Sequence, residues 1–365
     1  TKSLYVGRTN KLETKVGPLI VEPSVKLKRA LSALDIGEEW LLEPEKRSDK
    51  SHLWSPGIRY GVKRDSFFHL AECFGPVLGI MFASDLDEAI RIVNDSEYAL
   101  TSGLESLDET EQDAWLSQVE SGNLYINKSI TGAIVKRQPF GGWKRSSIGS
   151  GAKAGGPNYV FSLGEWEEVH LPNQGIDCIK MADSELSHLI SQVVSISGSK
   201  ELESALASYV YAYRMHFNVS HSTDDVIGET NEFRYCKIKS LLYRIGESDR
   251  WIDVQKTMIV AMVTGTKLQL SSDNRFLTQL RKLKKYSCIK VKFETDSELE
   301  QRLHENPVER IRSIVPIPES LKSLCNIQGI YCVDGPIISN GFVELMNYFK
   351  EQTLSKITHR YGNIF

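Results

Sequence analysis

Between Pro23 and Leu34 the apolar residues Val25, Leu27, Ala30, Leu31 and Leu34 recur at helical spacing, and Pro23 suits a first turn, so a helix is expected there. Trp40 to Leu42, Gly57 to Gly61 and Val77 to Phe82 are short apolar runs bounded by Gly and Pro, the pattern of strands. From Asp85 to Asn94, Leu86, Ala89, Ile90 and Val93 fall on one helical face, with Ser84 or Asp85 as the cap. Leu100 to Leu104 reads as a strand, Ala114, Leu116 and Val119 mark another helix, and Asn123 to Asn127 is a further strand. Such alternation predicts an α/β layer with parallel strands.

The pattern breaks between Gly141 and Asn158, where glycine and small or basic residues leave no regular element. Tyr159 to Leu163 and Trp166 to Leu171 have the look of a terminal strand or arm, and Leu171 to Gly175 marks a boundary. Two domains follow from this, residues 1–171 and 172–365. In the second, helical stretches at 183–195 and 199–217 precede five strands, Leu241 to Ile245, Lys267 to Leu270, Ile289 to Phe293, Ile311 to Ile314 and Ile330 to Val333. Helical crossovers between them predict a doubly wound, Rossmann-like sheet. No strand is followed by a phosphate-cradling glycine run, so the shape is expected without its cofactor.

Composition narrows the field. A chain of 365 residues that is 41% hydrophobic and 25% charged has the make-up of a globular protein with two cores. Its net charge of -3 gives no general attraction to nucleic acid or an anionic membrane. Its longest apolar run, Met258 to Val263, is far short of the ~20 residues needed to cross a bilayer. Six scattered cysteines without C-x-x-C spacing favour a reducing compartment, hence the cytoplasm. The opening Thr1-Lys2-Ser3 is neither a signal peptide nor a start, so the chain is expected to begin inside a larger polypeptide or to have been trimmed.

Two motifs carry the candidate chemistry. In Glu72-Cys73-Phe74-Gly75-Pro76 a carboxylate can accept hydrogen bonds from both hydroxyls of a ribose, and Phe74, two residues on, would share its face in an extended segment. Alone, this is better read as a surface Glu beside a turn. The second motif is Gln138-Pro139-Phe140-Gly141-Gly142, reached from Gly122-Asn123-Leu124-Tyr125-Ile126-Asn127 through Ser129 to Val135. An aromatic on a Gly-Gly turn, together with a carboxylate and aromatic on a Gly-Pro turn, is expected to form two walls of one site.

With these residues, residues 1 to about 165 resemble the C-terminal part of the aldehyde dehydrogenase superfamily. The closer resemblance is to the L-glutamate γ-semialdehyde (1-pyrroline-5-carboxylate) dehydrogenase module of proline utilization A. Gly17-Pro18-Leu19-Ile20, Phe67-Phe68-His69, Tyr98 to Leu104 and Gly151 to Tyr159 support it. Asn231 to Tyr235, Arg310 to Arg312, Glu351-Gln352 and His359 to Asn363 resemble the extra C-terminal domain of longer members of that family. The implied fold is a partial catalytic domain followed by a second Rossmann-like α/β domain, without chemistry of its own, that covers the active site and aids assembly.

By the same resemblance, Glu72 holds the nicotinamide ribose of NAD and Phe74 contacts its nicotinamide side. Gly132 and Ala133 anchor the α-carboxylate of glutamate γ-semialdehyde through their N–H groups, as successive amides in a tight turn can, and Phe140 lines the aldehyde. The attacking cysteine and the oxyanion-binding asparagine belong to an upstream dehydrogenase segment. This chain alone is therefore expected to be inactive, as part of a homo-oligomeric parent that could also carry a flavin-dependent proline dehydrogenase module. The alternative is a non-catalytic lid or assembly module of such an enzyme.

Other signals weigh less. Cys73 alternates away from Glu72 and reads as a buried small residue. Gly149-Ser150-Gly151-Ala152-Lys153-Ala154 matches G-x-G-x-x-A, but no strand precedes it. His216 and His221 have no companions at metal-ligand spacing, so no metal is expected, and the basic run from Arg281 to Lys285 reads as a solvated helix end.

Overall fold

The computed structural model describes residues 1–47, 52–147, 149–172, 199–282 and 287–358. They form two compact units, one of residues 1–99 and 106–120, the other of residues 100–105 and 121 onward. The expected helix at 183–195, Cys178, residues 173–175 of the expected boundary and the motif from His359 to Asn363 lie outside the described residues.

The first unit contains strands β1 (Glu39–Leu42), β2 (Gly57–Tyr60) and β3 (Val77–Ile80), β2 running antiparallel to β1 and parallel to β3. Helices α1 (Val25–Ser32), α2 (Phe67–Leu70), α3 (Leu86–Asp95) and α4 (Glu109–Gln118) and the two-residue strand β4 (Tyr98–Ala99) complete it. α1 buries Leu27, Ala30 and Leu31 as its spacing predicts, and Ser24 caps it by accepting from the Leu27 N–H. α3 is capped by Asp85, whose side chain accepts from the Glu88 N–H. The four-residue α2 was not foreseen, because one turn shows no period. At the centre Arg59, fully buried, pairs with Glu38 and donates to Ala30 O at 2.9 Å and Ala33 O at 2.7 Å. One guanidinium thus closes the C-terminal end of α1, where carbonyls lack helical partners.

The second unit holds two five-stranded sheets. Strands β5 (Thr101–Leu104) and β6 (Asn123–Ile126) come first, then the short β7 (Trp143–Lys144), helix α5 (Lys200–Ala212) and the hairpin of β8 (His221–Val226) and β9 (Glu229–Lys237). The doubly wound part follows as β10 (Leu241–Ile245), α6 (Trp251–Thr264), β11 (Leu268–Ser272), α7 (Leu277–Lys282), β12 (Ile289–Phe293), α8 (Asp296–Glu305), β13 (Arg310–Arg312), α9 (Glu319–Gln328) and β14 (Tyr331–Val333). A short α10 (Gly341–Glu344) leads to the last strand, β15 (Phe349–Ile357).

All pairs in the sheet β12-β11-β10-β13-β14 are parallel and the order is that of a doubly wound fold, the sheet type expected from the second half of the sequence. α6 is buried from Asp253 to Thr264 and stops at Gly265, whose φ of 70° ends the helix as only glycine does cheaply. The other sheet runs β5-β6-β15-β9-β8, with β6 parallel to β15 and β15 antiparallel to β9. β15 thus completes a sheet begun 230 residues earlier, Thr353 pairing with Asn123. For that reason the spatial division of the chain does not fall near residue 171, where its sequence pattern changes.

Two other expectations are corrected. The segment from Tyr159 is not a strand: Phe161 N–H donates to Asn158 O at 3.1 Å, and Val160–Leu163 closes as a 3-10 turn. Residues 164–172 add no strand. The helix expected over 199–217 ends at Ala212, and Tyr213–Phe217 continues as a wider π-helical turn.

Candidate active site

Glu72 and Phe74 lie on the turn that feeds β3. Val77 N–H donates to Gly75 O at 2.8 Å, and Gly57 N–H to Pro76 O at 2.8 Å, which fix its far end on β2. A Cβ at Gly75 would sit 2.2 Å from a Leu27 methyl, so any other residue there would have to displace the Leu27 side chain. Pressed onto α1 in this way, the chain turns so sharply that Phe74 takes a φ of 40°. The continuous extended segment expected from Glu72 to Phe74 is therefore broken at Phe74. Both residues are nevertheless outward: Glu72 is exposed and Phe74 is 83% exposed. Cys73 between them is half-buried, its thiol pushed up by burial.

Gly132, Ala133 and Phe140 lie in the second unit, on and after the loop of residues 128–138 that follows β6. Tyr125, 2% exposed, donates its hydroxyl to Gly132 O at 2.9 Å. Because a trans peptide points its C=O and N–H in opposite directions, holding the Gly132 carbonyl on the buried tyrosine turns the Ala133 N–H away from it. Among the described residues neither Gly132 N–H nor Ala133 N–H has an acceptor, and both residues are exposed. Gly132 has a φ of 92°, and a Cβ there would meet nothing within 4 Å. Glycine is thus demanded by the backbone, not by crowding. Two successive open amides on a glycine turn are what an anionic group can be bound by.

The loop is seated on both sides. Ile130 fills the space left by the missing side chain of Gly103, where a Cβ would lie 2.4 Å from its methyl. Gln138 N–H donates to Ile134 O at 2.7 Å, and Phe140 pairs its backbone with Ala154 in both directions, at 3.0 and 2.9 Å. Phe140 itself is half-buried. Lys153, fully buried beside that pair, donates to Gly122 O at 2.9 Å, Asn123 Oδ1 at 3.1 Å and Gly141 O. Burial pushes its ammonium down to about 7, opposed by the negative charge of Glu351. Glu351 accepts from Lys153 N–H at 2.8 Å and Asn158 Nδ2 at 2.9 Å. The loop-rich stretch from Gly141 to Asn158 is thereby built around one buried lysine, and its G-x-G-x-x-A match opens no helix.

Sequence reading overlooked Tyr125 and Lys153. Tyr125 stands in an all-buried strand where an aromatic is expected for packing alone. A lysine in a glycine-rich loop gives no sign of its burial. His216 and His221 are engaged locally, His216 Nε2 with Tyr235 Oη at 2.8 Å and His221 Nε2 with His216 O at 2.9 Å. Among the described residues no three His, Cys, Asp or Glu side chains are grouped to hold a metal, and no helix is long and apolar enough to cross a membrane.

None of the five described cysteines is set up as a nucleophile. Burial pushes the thiols of Cys73, Cys236 and Cys288 up, and Cys325 and Cys332 hydrogen-bond to each other, with Cys325 fully buried. The doubly wound sheet does not offer a dinucleotide site either. At the switch point between β10 and β13, the loop after β10 carries Asp249, which accepts from Gly246 N–H at 2.9 Å and from Tyr243. Asp253, in the first turn of α6, accepts from Arg250 N–H at 2.9 Å. One carboxylate in the first turn of α6 and another in the loop before it face the place where a pyrophosphate would have to bind, so the residues present do not fit one.

Residues 1–167 match the model of the Aldehyde dehydrogenase family. The chain is 36% identical over 164 residues to a 1-pyrroline-5-carboxylate dehydrogenase of Bacillus subtilis, covering 44% of this chain and 31% of the relative. A protein of the same name from Staphylococcus aureus is 35% identical over 175 residues, 46% of this chain and 32% of the other. The chain spans about a third of the length of the curated relatives it matches. Among solved structures, proline utilization A from Corynebacterium freiburgense covers 100% of this chain with 34% of its own, at 37% identity and a TM-score of 0.79. Residues 1–167 thus resemble the aldehyde dehydrogenase family, and over its full length the chain is similar to part of proline utilization A.

Proposed function

We propose that this chain is the substrate-anchoring portion of an NAD-dependent L-glutamate γ-semialdehyde dehydrogenase, which oxidises the semialdehyde to glutamate in proline catabolism. The observation that carries the reading is the pair of open amides at Gly132 and Ala133 on a loop aimed by Tyr125. Those amides bind the substrate α-carboxylate, and Phe140 packs against its aldehyde end. Glu72 accepts the hydroxyls of the nicotinamide ribose, and Phe74 packs beside the nicotinamide. An exposed carboxylate and an exposed aromatic on one rigid turn suit a sugar and its ring. NAD, when bound, supplies the hydride acceptor.

The attacking thiolate is assigned to a segment upstream of these motifs, which fits the described residues, among which no cysteine is exposed with a lowered pKa. This chain by itself therefore turns over no substrate. Residues 172–365 act as a covering and assembly domain of a cytoplasmic homo-oligomer, whose parent could also carry a flavin-dependent proline dehydrogenase module. The carboxylates that fill the switch point of its doubly wound sheet favour this non-catalytic role for that part.

NADH formation by the intact enzyme tests the reading, with glutamate γ-semialdehyde compared against butanal, which lacks the carboxylate and amine. A Gly132→Val substitution forces a β-branched residue to a φ of 92° and displaces the amides. It is expected to lower kcat/KM for the semialdehyde about tenfold more than for butanal, equivalent to the loss of ~1.4 kcal/mol of carboxylate binding. Equal losses on both substrates would reject the anchor.

A further inference from the structure

The loop that carries Gly132 and Ala133 begins at Lys128 and ends at Gln138, and the same two residues grip both of its ends. Lys128 Nζ donates to Glu229 Oε2 at 2.6 Å and to Ser355 Oγ at 3.0 Å. Gln138 Nε2 donates to Glu229 Oε1 at 3.2 Å, to Ser355 Oγ at 3.0 Å and to Asn231 Oδ1 at 3.2 Å. Glu229 thus spends one carboxylate oxygen on each end of the loop. Asn231 Nδ2 in turn donates to Glu229 Oε1 at 2.9 Å, which holds the carboxylate in place. Glu229 and Asn231 stand on β9 and Ser355 on β15, in the part of the chain beyond the family match.

We propose that Glu229 and Ser355 are positioning residues for the carboxylate anchor: by tying Lys128 to Gln138 they fix the span of the loop and so the spacing of its two amides. The proposal rests on the reading of Gly132 and Ala133 as that anchor. Its physical content is preorganisation. Eleven residues with an exposed crest would otherwise have to be ordered by the substrate at each binding event. With both ends held, and with the crest held at Gly132 by Tyr125, that ordering is completed on folding.

The clamp is also electrically robust. Burial pushes the Glu229 carboxyl up, but hydrogen bonds from Lys128 and Asn231 and the charges of Lys128 and Arg137 outweigh it, leaving Glu229 below its ordinary value. The Lys128 and Glu229 side chains are 19% and 16% exposed, so water screens the pair less than it would a surface ion pair. Selectivity that depends on the clamp is accordingly constant across neutral pH.

The experiment uses the intact enzyme and reads the ratio of kcat/KM for glutamate γ-semialdehyde to that for butanal. Glu229→Ala is expected to lower this ratio about five- to tenfold, mainly through KM, since it releases both loop ends at once. Glu229→Gln keeps an acceptor for Gln138 but not the charge facing Lys128, so it restores part of the ratio. Ser355→Ala, which removes an acceptor from each end with little change in volume, lowers the ratio about threefold and carries the test if Glu229→Ala does not fold. A ratio unchanged in these variants, or activity lost equally on both substrates, overturns the clamp. If Gly132→Val leaves the ratio unchanged the anchor itself is wrong. If Gly132→Val lowers it and the Glu229 and Ser355 variants do not, only the clamp fails.

Discussion

Replacing Tyr125 by Phe removes a single oxygen from the protein and tests whether the anchor depends on how one peptide is aimed. The hydroxyl donates to Gly132 O at 2.9 Å from a side chain only 2% exposed, so the carbonyl is held from inside the fold. The net value of such a bond is about 0.5–1.5 kcal/mol. If all of it is expressed as lost orientation of the Ala133 N–H, the KM for glutamate γ-semialdehyde rises about two- to twelvefold, at tenfold per 1.4 kcal/mol. The assay is steady-state NADH formation by the intact enzyme, with butanal as the substrate that makes no carboxylate contact. Burial pushes the Tyr125 hydroxyl above its ordinary value of 10.0, so it remains a donor, and the wild-type selectivity stays flat, through mildly alkaline pH. A variant that loses thermal stability while its selectivity between the two substrates is unchanged would refute the reasoning and leave Tyr125 as a packing residue.

Glu72→Gln is expected to raise the KM for NAD about tenfold, because an amide accepts ribose hydroxyls less strongly than a carboxylate does, and unchanged NAD kinetics would remove Glu72 from the cofactor site. Lys153→Met removes one donor from each of three buried acceptors that keep another partner, a loss of about 1.5–3 kcal/mol, or a fall in Tm of roughly 3–12 °C at 2–4 °C per kcal/mol. A change in Tm of less than about 3 °C in scanning calorimetry would contradict that estimate. With Lys153 near 7 in the folded chain against 10.5 ordinarily, the native state binds fewer protons than the unfolded one between those values. The cost of burying the charge is full below about 7 and is relieved as pH rises, so the Tm of the wild type gains on Lys153→Met between pH 7 and 9.

Elements with a clear period were legible in the sequence. The stripe of Leu27, Ala30 and Leu31 gave α1, Asp85 capped α3 as expected, and the alternation of apolar runs from Leu241 to Val333 gave the doubly wound sheet, though not its strand order. What escaped was non-local. β15 pairs with β6 across some 230 residues, and β8 carries too many polar residues to announce an edge strand. The Gly-Pro and Gly-Gly turns could be found because their glycines are required by close approach, as Gly75 is by Leu27. Tyr125, Lys153 and Glu229 could not, since each takes its role from partners that the fold alone brings near: a backbone carbonyl, a buried triad of acceptors and both ends of one loop.

The most direct measurement is a crystal structure of the intact enzyme with its product, glutamate, bound. The α-carboxylate is predicted to lie within hydrogen-bonding distance, about 2.7–3.2 Å, of the nitrogens of Gly132 and Ala133. A carboxylate held elsewhere, with those two amides still facing only water, would contradict the account.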